Sequence, residues 1–145
     1  MGPYATLMDR YRAAAETGQA AFPFAELLGM RLTAVGPGYA EVELETLPRH
    51  GNSMGTLHGG VYASLADTAL GIAHGSLLVA GELSTSVDLQ VKFLRPVISG
   101  RLKAVGRVVR HGRTLTYAEC EITNPDGEVV ARANATCMTL SREHW

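Results

Sequence analysis

The sequence predicts an α+β domain in which a curved antiparallel sheet wraps around one long central helix. A long and mostly apolar segment, residues 61–79, is typical of a helix that is buried on most sides. Strand-like segments joined by short turns lie before and after it. A single apolar helix needs a sheet to cover it, and these strands are the only candidates, so a sheet curved around the helix is the simplest architecture.

The N-terminal part of the chain is predicted to be helical. Residues 3–20 are rich in Ala and charged side chains and have Gly18 near their end, which indicates a short amphipathic helix. A second helical turn is expected at residues 23–29. Strand character begins near Leu32 and breaks at residues 36–38, where the sequence Gly-Pro-Gly favours a turn.

The later strands are predicted from alternation and turn signals. Residues 39–45 alternate apolar side chains with glutamates, as in a half-buried antiparallel strand. Residues 86–94 alternate in the same way, and four apolar side chains are expected on one face: Val87, Leu89, Val91 and Phe93. Turn signals at residues 111–113 and 124–127 separate three further strands, predicted at residues 101–110, 114–123 and 129–140.

Composition excludes several classes of function. A chain of 145 residues suits a single domain. Its net charge is −1, and its Lys and Arg residues are scattered, so it lacks the basic stripe of a nucleic-acid-binding protein. Asp67, His74 and two glycines interrupt the apolar segment, which favours a buried helix over a membrane span. Residues 1–4 lack a basic start followed by an apolar run, so we expect no signal peptide and a cytoplasmic location.

The cysteines and three of the histidines are predicted to have structural or surface roles. Cys120 and Cys137 lie in apolar, strand-like segments and are expected in the core of a protein from a reducing compartment. Neither has a His or a second Cys at metal-ligand spacing, so no metal site is predicted. His74 is expected to be a satisfied core or interface histidine, and His50 and His111 are expected to be solvated in loops.

Asp67 is the residue that fits its surroundings least. It lies in the middle of the central helix among apolar or small neighbours, and a buried carboxylate is costly unless it is paired or functional. A catalytic carboxylate is one interpretation. The other is an Asp that faces solvent or accepts a hydrogen bond from a nearby hydroxyl such as Ser64. Composition and periodicity do not separate them.

The turn before the helix is the second candidate for chemistry. Gly59 and Gly60 follow His58 at the helix start, where glycine allows another backbone or a ligand to approach closely. The first N–H groups of a helix are unsatisfied and carry partial positive charge, so they suit a carbonyl group whose oxygen becomes negative during a reaction. A plain helical start explains the pattern equally well. A phosphate site is disfavoured because the glycine spacing of the known phosphate loops is absent.

The spacing of these candidates predicts a dimer. Gly60 and Asp67 are seven residues apart, so they share a helix face but lie about 10 Å apart along its axis. One helix cannot bring both groups to a single carbonyl carbon. If both are catalytic, two copies packed antiparallel must share each site.

Three segments together resemble a known family. They are residues 52–60 (Asn-Ser-Met-Gly-Thr-Leu-His-Gly-Gly), residues 65–67 (Leu-Ala-Asp) and residues 91–96 (Val-Lys-Phe-Leu-Arg-Pro). The combination resembles the phenylacetate-pathway (PaaI-type) branch of the hot-dog fold thioesterases, in the 4-hydroxybenzoyl-CoA thioesterase superfamily, and the likeness runs from Phe24 to Leu140. The N-terminal helix and the residues after Leu140 lie outside the likeness, and we predict a helical segment at residues 1–30 before a hot-dog thioesterase domain at residues 31–145. The likeness implies an acyl-CoA substrate, no cofactor, and a homotetramer built as a dimer of dimers.

The resemblance implies catalytic roles by matching position. Asp67 is the catalytic carboxylate, either a general base on water or a nucleophile toward the thioester carbon. The Gly60 backbone N–H polarises the carbonyl, and His58 holds the thioester end of the site. Asn52 orients the carbonyl or the water, and Ser86 contacts the water or the carboxylate. If the register slips by one residue, Thr85 takes the place of Ser86.

Substrate contacts are predicted less sharply. Gly59 is expected near the bound thioester. The acyl pocket is expected to be lined by Ala, Leu and Val side chains from the helix and strands of two subunits, together with Met54 and Leu57. Three arginines are candidates for the CoA phosphates, although any single one of them is more often a plain surface charge: Arg95, Arg110 and Arg113. The acyl group is either aryl-acetyl or medium-chain, because an apolar pocket selects weakly by size. Relatives in another branch carry Glu in place of Asp67 and a hydroxyl residue one turn later, where this chain has Gly71.

Two other functions remain open from the sequence. A hydroxyacyl-thioester dehydratase uses the same fold, but it needs a His and a carboxylate at one substrate carbon. In this chain the histidine precedes the glycine pair, as in thioesterases. A non-catalytic acyl-CoA binding protein is the third interpretation, and the lack of an appended regulatory segment counts against it.

Overall fold

The computed structural model describes residues 6–144, which form three α helices and one six-stranded sheet. The elements in chain order are α1 (Leu7–Thr17), α2 (Pro23–Leu28), β1 (Met30–Gly36), β2 (Tyr39–Glu45), α3 (Gly59–Gly75), β3 (Glu82–Phe93), β4 (Arg101–His111), β5 (Leu115–Thr123) and β6 (Val129–Ser141). Short 3-10 turns occupy Pro48–His50 and Arg142–His144. The start of the predicted N-terminal helix, residues 3–5, and the four residues behind the signal-peptide prediction lie outside the described residues.

All neighbouring strands are antiparallel, in the order β1-β2-β4-β5-β6-β3. The two hairpins β4–β5 and β5–β6 follow directly from the turn signals at residues 111–113 and 124–127. This confirms the predicted α+β class, and it leaves the 12-residue strand β3 at one edge of the sheet.

Helix α3 lies across one face of the sheet and provides the centre of the core. Its side chains Leu65, Ala66, Ala69 and Leu70 have no exposed surface. A glycine on β4 permits the close approach, because a Cβ on Gly106 would lie 2.6 Å from the carbonyl oxygen of Ala69. The predicted burial of the helix on most sides is therefore confirmed.

The predicted limits of α3 were wrong at both ends. The helix begins at Gly59, with His58 as its N-cap, and ends at Gly75 rather than continuing to residue 79. The amides of Leu77 and Leu78 bond to carbonyls three residues earlier, so the last turn tightens and the helix stops. Apolar residues continue beyond that point, and they caused the prediction to run too long.

Strand β3 is longer than predicted and contains a bulge. The pairing with β6 shifts between Ser86 and Asp88, and Val87 is the extra residue. Val87 is 53% exposed, so its predicted place on the inner face was wrong. Leu89 and Val91 do pack against the core. The bulge thereby lets hydroxyls of the first half of the strand face α3 ahead of these apolar side chains.

Helix α1 covers the C-terminal end of α3. A capping box between Thr6 and Asp9 starts it, and Gly18, with φ of 70°, ends it as predicted. Its Tyr11 side chain packs over Gly75 of α3. The short α2 begins with Pro23 and ends at a left-handed Gly29, as the second helical turn was expected to do.

Both cysteines and His50 are buried. Cys120 and Cys137 are free and buried, which confirms their core placement, and burial raises the pKa of Cys120 to about 12. His50 was predicted to be solvated and is instead buried. Its Nδ1 accepts from the Leu47 N–H at 3.0 Å, and its Nε2 lies 3.0 Å from the Leu28 carbonyl oxygen. No helix within residues 6–144 is long and apolar enough to cross a membrane.

Candidate active site

Asp67 lies at the base of an open cleft of about 520 Å³ between α3, β3 and the N-terminal segment. The carboxylate is half-buried, and its Oδ1 accepts a hydrogen bond of 2.8 Å from the Ser86 hydroxyl. Its Oδ2 accepts no hydrogen bond from the side chains and amides of residues 6–144. Ser64, the alternative partner, donates instead to the Gly60 carbonyl oxygen at 2.8 Å. Asp67 is thus held at one oxygen and open at the other.

The cleft has a mixed lining that the sequence did not reveal. Its helix side and strand side combine small and hydroxyl side chains, including Gly71, Ser84 and Thr85. Its outer wall is aromatic and comes from the segment before β1: Tyr11, Phe22 and Phe24. Ser84 could be predicted from the sequence to line the cleft, because it stands two residues before Ser86 and so shares its strand face. The aromatic wall could not be predicted, since it forms only by packing between residues far apart in the chain.

The first turn of α3 presents one free backbone donor. The Gly60 N–H, which was expected to polarise a carbonyl, donates to the His58 Nδ1 at 2.8 Å. The Gly59 N–H makes no hydrogen bond within the described chain. Because Nδ1 of His58 is an acceptor, the neutral ring carries its proton on Nε2, and this imidazole is exposed to solvent. The helix start therefore offers two outward donors, the Gly59 amide and the His58 ring.

Asn52 organises the loop before α3. Its Oδ1 accepts from the amides of Met54 at 2.9 Å and Thr56 at 3.1 Å, and its Nδ2 donates to the Thr56 hydroxyl at 2.9 Å. Met54 is 80% exposed at the tip of this loop, whereas Leu57 is buried in the core. In the single chain, Asn52 shapes the loop, and one of its two amide protons remains available.

A second, smaller cleft of about 260 Å³ lies beside the helix start. Gly59, Leu57 and Phe93 line it, with the Arg95 backbone at its edge. The Tyr62 hydroxyl donates to the Arg95 carbonyl oxygen at 3.0 Å, and the Arg95 side chain pairs with Glu128 at 3.0 Å. This cleft is continuous with the free Gly59 donor.

The three candidate arginines do not come together in one chain. Arg95 follows β3 near the start of α3, where Leu94 and Arg95 bond to the Val130 carbonyl. Arg110 and Arg113 are exposed at the opposite end of the sheet, at the β4–β5 turn. The helix start and Asp67 are likewise about 12 Å apart, the rise of the eight residues that separate Gly59 from Asp67.

His74 is a satisfied core histidine, as predicted. It has no exposed surface, its Nδ1 lies 2.7 Å from the Ser84 hydroxyl, and its Nε2 lies 3.2 Å from the Thr139 hydroxyl. Burial and, to a smaller extent, the nearby His111 lower the pKa of His74 to about 4, against an opposing effect of Glu82. His111 is exposed, but it ends β4 rather than lying in a loop, and its Nδ1 lies 2.8 Å from the Thr116 hydroxyl.

Comparison with known proteins shows the family to which the chain belongs. The sequence model of one family, the Thioesterase superfamily, matches residues 54–131. Acyl-coenzyme A thioesterase 13 of Homo sapiens is 30% identical over 118 residues, which cover 78% of this chain and 82% of that protein. The medium/long-chain acyl-CoA thioesterase YigI of Escherichia coli is 32% identical over 131 residues, covering 80% and 84%.

The fold has the same relatives. The structure of the E. coli PaaI protein, from the phenylacetic acid degradation operon, superposes with a TM-score of 0.82 and 26% sequence identity. The match covers 94% of this chain and 97% of that one. Both the helix that carries Asp67 and the N-terminal segment therefore fall within the similarity.

Proposed function

Because the chain belongs to the thioesterase superfamily and is a thioester hydrolase of the hot-dog fold, we propose that it hydrolyses an acyl-CoA with Asp67 as the working carboxylate. The observation that carries this proposal is the state of Asp67, which is held at Oδ1 by Ser86 and open at Oδ2 to the cleft. Polar groups that are half-satisfied at the base of a cleft are typical of catalytic sites.

We propose that Asp67 acts as a general base. A water bound at Oδ2 loses a proton to the carboxylate as its oxygen bonds to the thioester carbon, and the carbonyl oxygen becomes negative. The C–S bond then breaks, and the proton on Asp67 passes to the CoA thiolate. Ser86 keeps the carboxylate oriented throughout. A direct attack of Oδ2 to form an anhydride is the other route compatible with the same geometry.

The proposed oxyanion donor is Gly59 rather than Gly60. Its N–H has no partner within residues 6–144, whereas the Gly60 N–H is occupied by its own N-cap. The helix dipole adds partial positive charge at the same point. The His58 Nε2–H is the second proposed donor at the thioester, and Asn52 supports both by shaping the preceding loop.

We propose that each site is shared by two chains. Gly59 and Asp67 are too far apart on one helix to reach one carbonyl group. Strand β3 supplies the means to dimerise, because it is a 12-residue edge strand with Val87 53% and Phe93 56% exposed. An exposed edge of this length pairs readily with another strand. Antiparallel pairing of two β3 strands places the helix start of one chain toward Asp67 of the other.

The same pairing accounts for CoA binding. The small cleft at Gly59 suits the pantetheine arm, and an antiparallel dimer brings Arg95 of one chain toward the end that carries Arg110 and Arg113 in the other. These arginines are proposed contacts for the CoA phosphates. The chemistry uses side chains, a backbone N–H and water, and CoA enters as part of the substrate. We further propose a tetramer of two such dimers in the cytoplasm, supported for location by the two buried free thiols.

The decisive experiment is subunit complementation. The Gly59→Pro variant removes the proposed donor but keeps the helix, because Pro is favoured at the first helical position and His58 is already extended, with ψ of 135°. Release of CoA from acyl-CoA substrates is measured for Gly59→Pro, for Asp67→Asn, and for the two proteins unfolded and refolded together. We expect each variant alone to be nearly inactive and the mixture to recover about a quarter of the wild-type rate, since half of the chains then form mixed dimers with one intact site.

Two results would contradict the proposal. Full activity of Asp67→Asn would remove Asp67 from the chemistry. Failure of the mixture to recover activity, when size-exclusion chromatography shows mixed dimers, would contradict the shared site.

A further inference from the structure

The cleft beside Asp67 is closed at its far end by α1. Tyr11, Phe22 and Phe24 line the cleft that contains Asp67. The Tyr11 ring lies directly over α3, because a Cβ on Gly75 would be 3.0 Å from two of its atoms. An apolar group that enters beside Asp67 and follows α3 therefore meets an aromatic end wall.

This end wall is held firmly in place. The capping box of Thr6 and Asp9 fixes the start of α1, with hydrogen bonds of 2.9 and 3.1 Å. Met8 and Ala14 of the same helix are buried, and Tyr11 itself packs against the core. A ring anchored in this way cannot move aside without disturbing the packing of the whole helix.

Gly71 keeps the middle of the cleft open. It lies one turn beyond Asp67 on α3 and lines the same cleft. Apart from its chain neighbours and the nearby backbone of α3, no atom of residues 6–144 lies within 4 Å of a Cβ built at Gly71, so a side chain there would extend into the cleft rather than into the core. Glycine has a low helix propensity and therefore destabilises a helix interior. The local feature that it provides here is the space left in the cleft by its missing side chain.

We propose that this cleft holds the acyl group of the substrate, and that Gly71 and Tyr11 set the length of acyl group that fits. The inference rests on the proposed function, because it takes Asp67 as the reacting end. Eight residues of helix separate Asp67 from Gly75, a rise of about 12 Å. Contacts at the two ends take up part of this rise, so about 12 Å is the upper limit of the length available to the acyl group. An extended chain advances about 1.3 Å per carbon, given C–C bonds near 1.5 Å, so no more than about nine carbons fit in the cleft.

This length defines the substrate class. Unbranched acyl groups of up to about nine carbons and aryl-acetyl groups fit between Asp67 and Tyr11, and longer chains meet the ring. The aromatic wall favours an apolar guest, and planar rings pack well against Phe and Tyr side chains. The class is therefore medium-chain or aryl-acetyl thioesters, and long-chain thioesters are excluded by the position of α1.

The test compares kcat/KM over a series of acyl-CoA substrates, from butanoyl to hexadecanoyl, together with phenylacetyl-CoA. Gly71→Leu fills the cleft and should lower the ratio of octanoyl to butanoyl turnover by about tenfold or more. Tyr11→Ala removes the end wall and should raise the ratio of dodecanoyl to hexanoyl turnover by about tenfold. The two variants are expected to move the length preference in opposite directions. Tyr11→Phe retains the ring and should retain the wild-type length preference, as should Arg12→Ala on the exposed side of α1.

The outcomes separate this inference from the proposed function. If Gly71→Leu and Tyr11→Ala are folded and hydrolyse thioesters with the length preference of the wild type, the cleft does not hold the acyl group and the inference is overturned. If the wild type hydrolyses no thioester in the series, the proposed function fails and the inference fails with it. Gly71→Leu remains informative even if Tyr11→Ala does not fold, because leucine has a higher helix propensity than glycine and a Cβ at this position has room. Its molar mass in solution is measured alongside, so that a change in assembly is distinguished from a change in preference.

Discussion

Asp67 and His74 lie seven residues apart on the same face of α3, and their surroundings differ sharply. Each contacts a hydroxyl of β3, Ser86 for Asp67 and Ser84 for His74. His74 is fully buried with a partner at both ring nitrogens, whereas Asp67 is half-exposed with a partner at one oxygen. A fully satisfied buried group stabilises the fold, and a half-satisfied group at a cleft keeps an acceptor free for a ligand. Of these two polar residues on one helix face, His74 therefore has the surroundings of a structural residue and Asp67 those of a catalytic one.

Asp67→Asn should produce the largest effect. The amide keeps the shape of the side chain and can still accept from Ser86, but it cannot take a proton from water. We expect turnover to fall by about a hundredfold or more, the scale of general-base catalysis, with little change in melting temperature. Release of CoA and thermal unfolding are measured on the same samples.

The matched control is Asp126→Asn, an exposed carboxyl in the β5–β6 turn. It should leave turnover unchanged. An equal loss of turnover in both variants would mean that the effect of Asp67→Asn reflects net charge. It would then not show that Asp67 has a catalytic role that His74 lacks.

His74→Ala should have the opposite profile. Removing the imidazole leaves the Ser84 and Thr139 hydroxyls without their partner in a buried region and opens a cavity. We expect the free energy of unfolding to fall by about 2 kcal/mol or more. Urea denaturation measures it. His74→Asn, whose amide reaches the position of Nδ1, should recover part of the loss, and an unchanged stability of His74→Ala would refute the structural role.

Part of this contrast could be predicted from the sequence. Asp67 was identified because a carboxylate among apolar neighbours is costly, and strands were placed because alternation has a period of two. The end of α3 could not be placed, since apolar residues continue past Gly75 and the helix stops through local hydrogen bonds and contact with α1. The bulge at Val87 leaves no mark in an alternating segment. The aromatic wall around Tyr11 depends on packing between residues far apart in the chain, which no local pattern records.

The pH dependence of stability sharpens the comparison further. Burial, then His111, lower the pKa of His74 from 6.5 to about 4. The unfolded chain therefore binds a proton at His74 below about pH 6.5, while the folded chain resists it until about pH 4. The stability contributed by the neutral ring is present above pH 6.5 and is lost as the pH falls from 6.5 toward 4. We expect a loss of about 1–2 kcal/mol between pH 7 and pH 5. The free energy of unfolding is measured by urea titration at both pH values. His74→Asn should not show this loss of stability between pH 7 and pH 5. An equal loss in the wild type and in His74→Asn would contradict the assignment to His74.

Ser86→Ala should give the smallest effect, because it weakens the orientation of Asp67 without removing the carboxylate. The lost hydrogen bond is charge-assisted but close to solvent, so we expect kcat to fall by about fivefold, with a change in unfolding free energy below about 0.5 kcal/mol. Ser86→Thr restores the hydroxyl and should restore most of kcat. A merely structural role would instead lower stability in both variants and leave kcat per folded molecule unchanged. Restoration by Thr therefore separates a residue that positions Asp67 from one that only packs beside it, which is the same distinction that divides Asp67 from His74.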